Sequence, residues 1–145
     1  MRLTRAGEYA IRCILYLAMH QDQGIIGRKE IAEAMDVPAQ FLGKVAQNLA
    51  RAGIIAIRQG ACGGYELLRR PEDLTLLTII EAIDGEIFLN DCIHRPDSCD
   101  RQTICSVHQV WERARRQLRE TLGGTTLAEL AETESRTCGN RLAKP

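Results

Sequence analysis

Four side chains able to ligate a metal fall within seventeen consecutive positions: Cys92, Cys99, Cys105 and His108, spaced C-x6-C-x5-C-x2-H. Thiolate sulfur donates strongly to soft metals, so the grouping suits zinc or an iron-sulfur cluster. Structural zinc sites commonly take their ligands from tight C-x2-C pairs, and no cysteine pair here is that close. Wider gaps let a loop wrap a larger group. Cys105 is expected near a helix N-terminus, where the helix dipole favours the thiolate. Cys105 and His108, three residues apart at a helix start, project from nearly the same face, so one metal centre can meet both.

The remaining cysteines carry less. Cys13 falls on an apolar helix face and reads as a small core residue, Cys62 at the hairpin tip reads as an exposed reactive thiol or, in preference, a tolerated substitution, and Cys138 has no spaced partner. His20 and His94 read as ordinary surface imidazoles. Six cysteines in a chain with no signal-peptide pattern point to metal or redox chemistry in a reducing compartment rather than to disulfides. The longest apolar run, Cys13 to Met19, is too short for a bilayer, so a cytoplasmic protein without membrane contact is expected.

A second set of residues suits nucleic acid. Gln40, Lys44 and Gln47 share the outward stripe of an amphipathic segment, and Arg58 and Gln59 follow at a glycine-rich turn. Glutamine and lysine bond base edges and phosphates in a major groove. Alone, such a stripe reads most simply as a solvated helix face; the hairpin behind it favours double-stranded DNA. Net charge is zero, yet it is unevenly spread. Residues 1–70 hold ten basic and six acidic side chains, a balance of +4, and residues 71–145 hold nine and thirteen, a balance of −4. The first half is the one suited to phosphate.

The elements that must position these groups follow from periodicity. Thr4 is placed to cap a first helix with Tyr9, Ala10, Cys13, Ile14, Leu17 and Ala18 at helical spacing, ending near His20. A second helix is expected over Arg28 to Met35, broken by Asp36-Val37-Pro38. The third, Pro38 to Ala52, is expected to bury Phe41, Leu42, Val45 and Leu49 and to end at Gly53. Two β-prone runs, Ile54 to Ile57 and Tyr65 to Leu68, flank a glycine-rich turn and read as a hairpin. Two short helices followed by a hairpin are the order of a winged helix-turn-helix.

A fourth helix is expected over Leu76 to Ile83, and then Glu86 to Cys105 show no sustained periodicity. From Ser106, Val107, Val110, Trp111, Ala114, Leu118 and Leu122 mark a long amphipathic helix. Its charged side, Glu112, Arg115, Arg116 and Glu120, reads as solvated, and its apolar stripe is too long for one small protein to cover. A second subunit is the expected partner. Thr126 and Glu129 form a capping box for a last short helix, with a loose tail from Glu134. The fold class is therefore mainly α with a small β-hairpin wing: a winged helix-turn-helix over residues 1–75, a ligand loop and dimerisation helix over 76–133, and a tail over 134–145.

Met1-Arg2-Leu3-Thr4, Gly63-Gly64-Tyr65, Ile79-Ile80-Glu81-Ala82-Ile83 and the three loop cysteines together resemble the IscR/NsrR family over about residues 1–133. The resemblance implies a homodimeric bacterial winged-helix regulator whose iron-sulfur cluster is held by Cys92, Cys99 and Cys105 with a varying fourth ligand. His108 matches the histidine of the IscR branch, and Glu8 matches the carboxylate position of the NsrR-like branch; His108 is preferred. A [2Fe-2S] cluster is favoured over [4Fe-4S]. The chain departs from IscR in its first cysteine gap, in Gly43 where IscR has an acidic residue, and in Gln59 where its wing has arginine. The competing readings are a cluster-free thiol-sensing regulator and a zinc-stabilised protein-interaction adaptor. An enzyme is the weakest, for there is no C-x-x-C, no phosphate-binding glycine motif and no nucleophile and base pair.

Overall fold

In the computed structural model, which describes residues 3–142, the chain folds as seven helices and one two-stranded sheet. Met1 and Arg2 of the opening motif, and residues 143–145, lie outside the described residues. Helix α1 (Arg5–Met19) starts at Thr4, whose side chain accepts from the Gly7 N–H at 3.1 Å. Helices α2 (Arg28–Ala34) and α3 (Ala39–Arg51) follow, then β1 (Ile55–Arg58) paired antiparallel with β2 (Gly64–Leu67), Ile55 opposite Leu67. Helix α4 (Leu76–Asp84), one turn of α5 (Asp91–His94), the long α6 (Ser106–Gly123) and α7 (Leu127–Leu142) complete the chain.

One aliphatic core joins both halves. Cys13, Ile14, Ile31, Leu42, Leu49, Ile79 and Leu127 are all buried in it, so α4 and α7 pack on the same α1 that carries the helix-turn-helix. Burial pushes the Cys13 thiol up to about 12. The capping box at α7 is formed in both directions, Thr126 N–H to Glu129 Oε2 at 2.9 Å and Glu129 N–H to Thr126 Oγ1 at 3.2 Å. Helix α7 runs on to Leu142, across residues expected to be a loose tail after a short last helix.

Two packing expectations are corrected. Phe41 is 54% exposed, because the buried stripe of α3 is Leu42, Val45, Ala46 and Leu49, and a residue one position before Leu42 is turned about 100° away from it. Its ring instead leans on Tyr9, centroids 6.2 Å apart. Arg115 does not belong to a solvated face: it bonds the Ile87 carbonyl at 2.7 Å and pairs with Glu86, while Arg119 pairs with Glu81 of α4. These two arginines tie α6 to α4 and to the start of the loop, and Glu81 also accepts the Ile87 N–H at 3.2 Å.

Candidate nucleic-acid interface and metal centre

The outward stripe of α3 and the hairpin face one another across an open groove of about 510 Å³. Gln40, Lys44 and Gln47 line it from the helix, and Arg58 and Gln59 from the wing. The structure thus brings together all five residues singled out from the sequence. Lys44 leans over the Phe41 ring with its Nζ 6.0 Å from the centroid. Arg58 is shared: its Nη2 lies 3.2 Å from Glu66 Oε2 on β2, a diagonal pair that steadies the wing while the side chain stays half exposed. Gly43 lines the same groove, as do Arg28, Ile57 and Tyr65, which were not anticipated.

Two local devices set the angle of this groove. The turn between α2 and α3 carries Asp36 at φ 52, a left-handed conformation that aspartate tolerates better than most residues. Arg12, reaching from α1, donates to the carbonyls of Met35 and Asp36, each at 3.2 Å, and so caps α2 and holds the turn. The wing is fastened by a bridge between Ile26 and Tyr65, with N–H to carbonyl distances of 3.0 and 2.8 Å. Gly64 makes that bridge possible, since a Cβ there would lie 2.1 Å from the Ile26 carbonyl oxygen.

The ligand segment is built from α5 and two 3-10 turns, Pro96–Ser98 and Gln102–Ile104, with Cys105 as the residue preceding α6. Cys92 and Cys105 are half-buried and Cys99 is exposed. His108 stands one turn into α6 with its Nδ1 buried and without a hydrogen-bond partner. Around them the loop is pinned by Phe88 stacked on His94, centroids 4.4 Å apart, and by the Trp111 indole N–H, which meets the Asn90 amide oxygen at 2.9 Å in the orientation that satisfies both groups. Among the described residues, no three of the His, Cys, Asp and Glu side chains converge closely enough to hold a metal. The donor types and the unpartnered imidazole nitrogen suit an iron-sulfur group; the convergence of the thiols is not present in this arrangement. Glu8 is exposed on α1 beside Arg5, Arg12 and Asp36, in a separate hollow.

Helix α6 buries none of its residues completely. Val107 and Val110 are nearly half exposed, and Trp111 lies beside them. No described helix is long and apolar enough to cross a membrane.

A family model described as Rrf2, an iron-dependent transcriptional regulator, matches residues 3–133. The chain belongs to the Rrf2 family. Among Rrf2 relatives, the transcriptional regulator IscR of Aliivibrio salmonicida is 29% identical over 130 residues, covering 90% of this chain and 77% of that protein. Among solved structures, CymR, described as the global cysteine regulator of B. subtilis, superposes with a TM-score of 0.77 at 26% identity, covering 92% of this chain and 98% of that one. IscR of T. potens does so with a TM-score of 0.74 at 25% identity, over 92% and 88%. The winged-helix architecture and the resemblance noted from the sequence both stand, and the Rrf2 chain is a helix-turn-helix transcriptional regulator similar to IscR. The relatives are regulators, in line with the expectation at family level that the chain is no enzyme.

Sequence reasoning found the α3 stripe because period and residue type coincide there. Arg28 and Tyr65 escaped it: one opens a different helix and the other reads as a core strand residue, and only the fold carries them to the groove. Arg12 escaped for the same reason. A half-apolar face of α1 gives no sign that its arginine reaches the following turn.

Proposed function

We propose that this Rrf2-family chain is a cytoplasmic homodimer that binds double-stranded DNA operators and is switched by an iron-sulfur cluster sensing redox state, nitric oxide or cluster supply. The observation that carries the reading is the single groove lined by Gln40, Lys44, Gln47, Arg58 and Gln59. Its polar lining suits a duplex, with glutamines for bases and cations for phosphates. Residues 1–75 supply the DNA-binding part and residues 76–133 the sensing and pairing part. Dimerisation draws support from the uncovered Val107, Val110 and Trp111 on α6.

Cys92, Cys99 and Cys105 would hold the cluster, [2Fe-2S] rather than [4Fe-4S], with His108 as fourth ligand in preference to Glu8. When bound, such a group supplies a centre that oxidants and nitric oxide attack. The chain's own part is to present the donors: α6 fixes Cys105 and His108 one turn apart, and the His108 Nδ1, buried with no partner, is a donor looking for one. Arg115 and Arg119 carry the state of the loop to α4. A thiol-sensing regulator without a cluster is the second reading, and the exposure of Cys99 supports it.

Anaerobic purification, a visible absorption spectrum and duplex-binding titrations with loaded and metal-free protein test both. A brown protein whose operator affinity changes tenfold or more on cluster loss supports the first reading. A colourless protein whose binding responds only to thiol oxidation supports the second, and a colourless zinc protein that binds no DNA removes both. His108→Ala is expected to shift the spectrum and Glu8→Ala to leave it unchanged; the reverse pattern makes Glu8 the ligand.

A further inference from the structure

Resting on the DNA-binding reading, we propose that Arg28 reads a guanine base in the operator through the gap that Gly43 leaves in the recognition helix. Arg28 is the first residue of α2, yet its guanidinium lies on α3: a Cβ built at Gly43 would stand 3.2 Å from Arg28 Nη1. That position lies in the stripe of Gln40, Lys44 and Gln47, on the wall of the same groove. A glycine in mid-helix weakens the helix, and here the space it leaves is filled by a side chain from the neighbouring helix. The arginine therefore takes the place in the groove that a side chain at position 43 would otherwise occupy.

Its surroundings leave its charge free for a ligand. Arg12 donates to the carbonyls of the turn, and Arg58 is shared with Glu66. Among the described residues no carboxylate pairs with Arg28, which is exposed. From the wing side its neighbour is Tyr65: burial, and next to it the Cys13 thiol, raise the tyrosine pKa, while the facing Arg28 guanidinium lowers it. Tyr65, anchored by its bridge to Ile26, lines the groove beside Arg28 and brings no negative charge that would neutralise it. An exposed planar fork seated against Gly43 is suited to guanine O6 and N7, the pair of acceptors that arginine reads bidentately in the major groove. Arg28 lines the groove together with Gln40, Gly43 and Gln47, the stripe assigned to base edges.

The test starts with the anaerobically purified full chain and selection from a randomised duplex pool. Anisotropy titrations follow on the selected operator and on duplexes with each base pair changed in turn, at several salt concentrations. In the wild-type protein, one G·C pair per half-site is expected to contribute about five- to hundredfold. Arg28→Ala and Arg28→Lys both lose that preference, and the salt slope of Arg28→Lys stays unchanged. Gly43→Val, which keeps the arginine but closes its seat, loses the same preference while its thermal stability is retained. If Arg28→Ala weakens all duplexes equally and reduces the salt slope by about one, Arg28 is a phosphate anchor and the assignment is overturned. Unchanged selection by Arg28→Ala overturns it as well, with the DNA reading intact. A wild-type chain that selects no duplex removes the DNA reading and this assignment together.

Discussion

Replacing Gly64 by alanine probes how the wing is joined to the body. The added Cβ would lie 2.1 Å from the Ile26 carbonyl oxygen, 2.5 Å from its carbon and 2.9 Å from the Gly27 nitrogen. All three are backbone atoms and none can swing aside, so β2 must withdraw from Ile26. Both hydrogen bonds of the Ile26–Tyr65 bridge then break, at about 1 kcal/mol each. Ile26 and Tyr65, 2% and 4% exposed, would each lose about half of their burial, worth roughly another 1 kcal/mol apiece. The expected loss is roughly 4 kcal/mol, or a fall in Tm on the order of 10 °C for a chain of this length. Gly60→Ala is the control, because at φ +107 the alanine is strained but nothing stands within 4 Å, and the cost at a turn tip is about 1 kcal/mol. Urea and thermal unfolding followed by circular dichroism measure both. A Gly64→Ala protein within 1 kcal/mol of wild type, or no less stable than Gly60→Ala, would refute the argument that close approach dictates this glycine.

Three further outcomes follow from the same geometry. Arg12→Met removes two charged hydrogen bonds to the helix-turn-helix turn and is expected to cost about 2–3 kcal/mol in urea unfolding and to weaken duplex binding; an unchanged midpoint would show that the turn holds itself. The Cys13 thiol, raised from 9.0 to about 12, stays protonated in the folded chain, so its stabilising contribution is full below pH 9 and fades as pH rises toward 12. By pH 10 wild type should therefore lose about 1.4 kcal/mol relative to Cys13→Ala, and parallel pH profiles for the two proteins would contradict this. Val110→Glu on the uncovered face of α6 is expected to turn a dimer into a monomer in sedimentation velocity while helix content is kept, and a wild-type monomer would remove that reading outright.

Periodicity and cap chemistry made most elements legible in the sequence. Thr4, Thr126 with Glu129, and Pro38 each act within a turn of the chain, and such short-range signals survive without knowledge of the fold. The α3 stripe was readable for the same reason: a helix of period 3.6 determines its own outer face. Phe41 was misjudged because an apolar residue at the edge of a stripe can turn either way, and its neighbour Tyr9 on α1 decides which.

What the tertiary structure alone decided is which distant side chains meet. Arg28 over Gly43, Arg12 on the turn, Arg115 at Ile87 and Arg119 at Glu81 join partners from different elements. Each long arginine has several partners in reach, and the crossing of the helices chooses among them. The spacing of Cys92, Cys99, Cys105 and His108 belongs to the sequence and states which donors are available. Their separation in space belongs to the fold, because loop residues with no periodicity take their positions from the helices that bracket them.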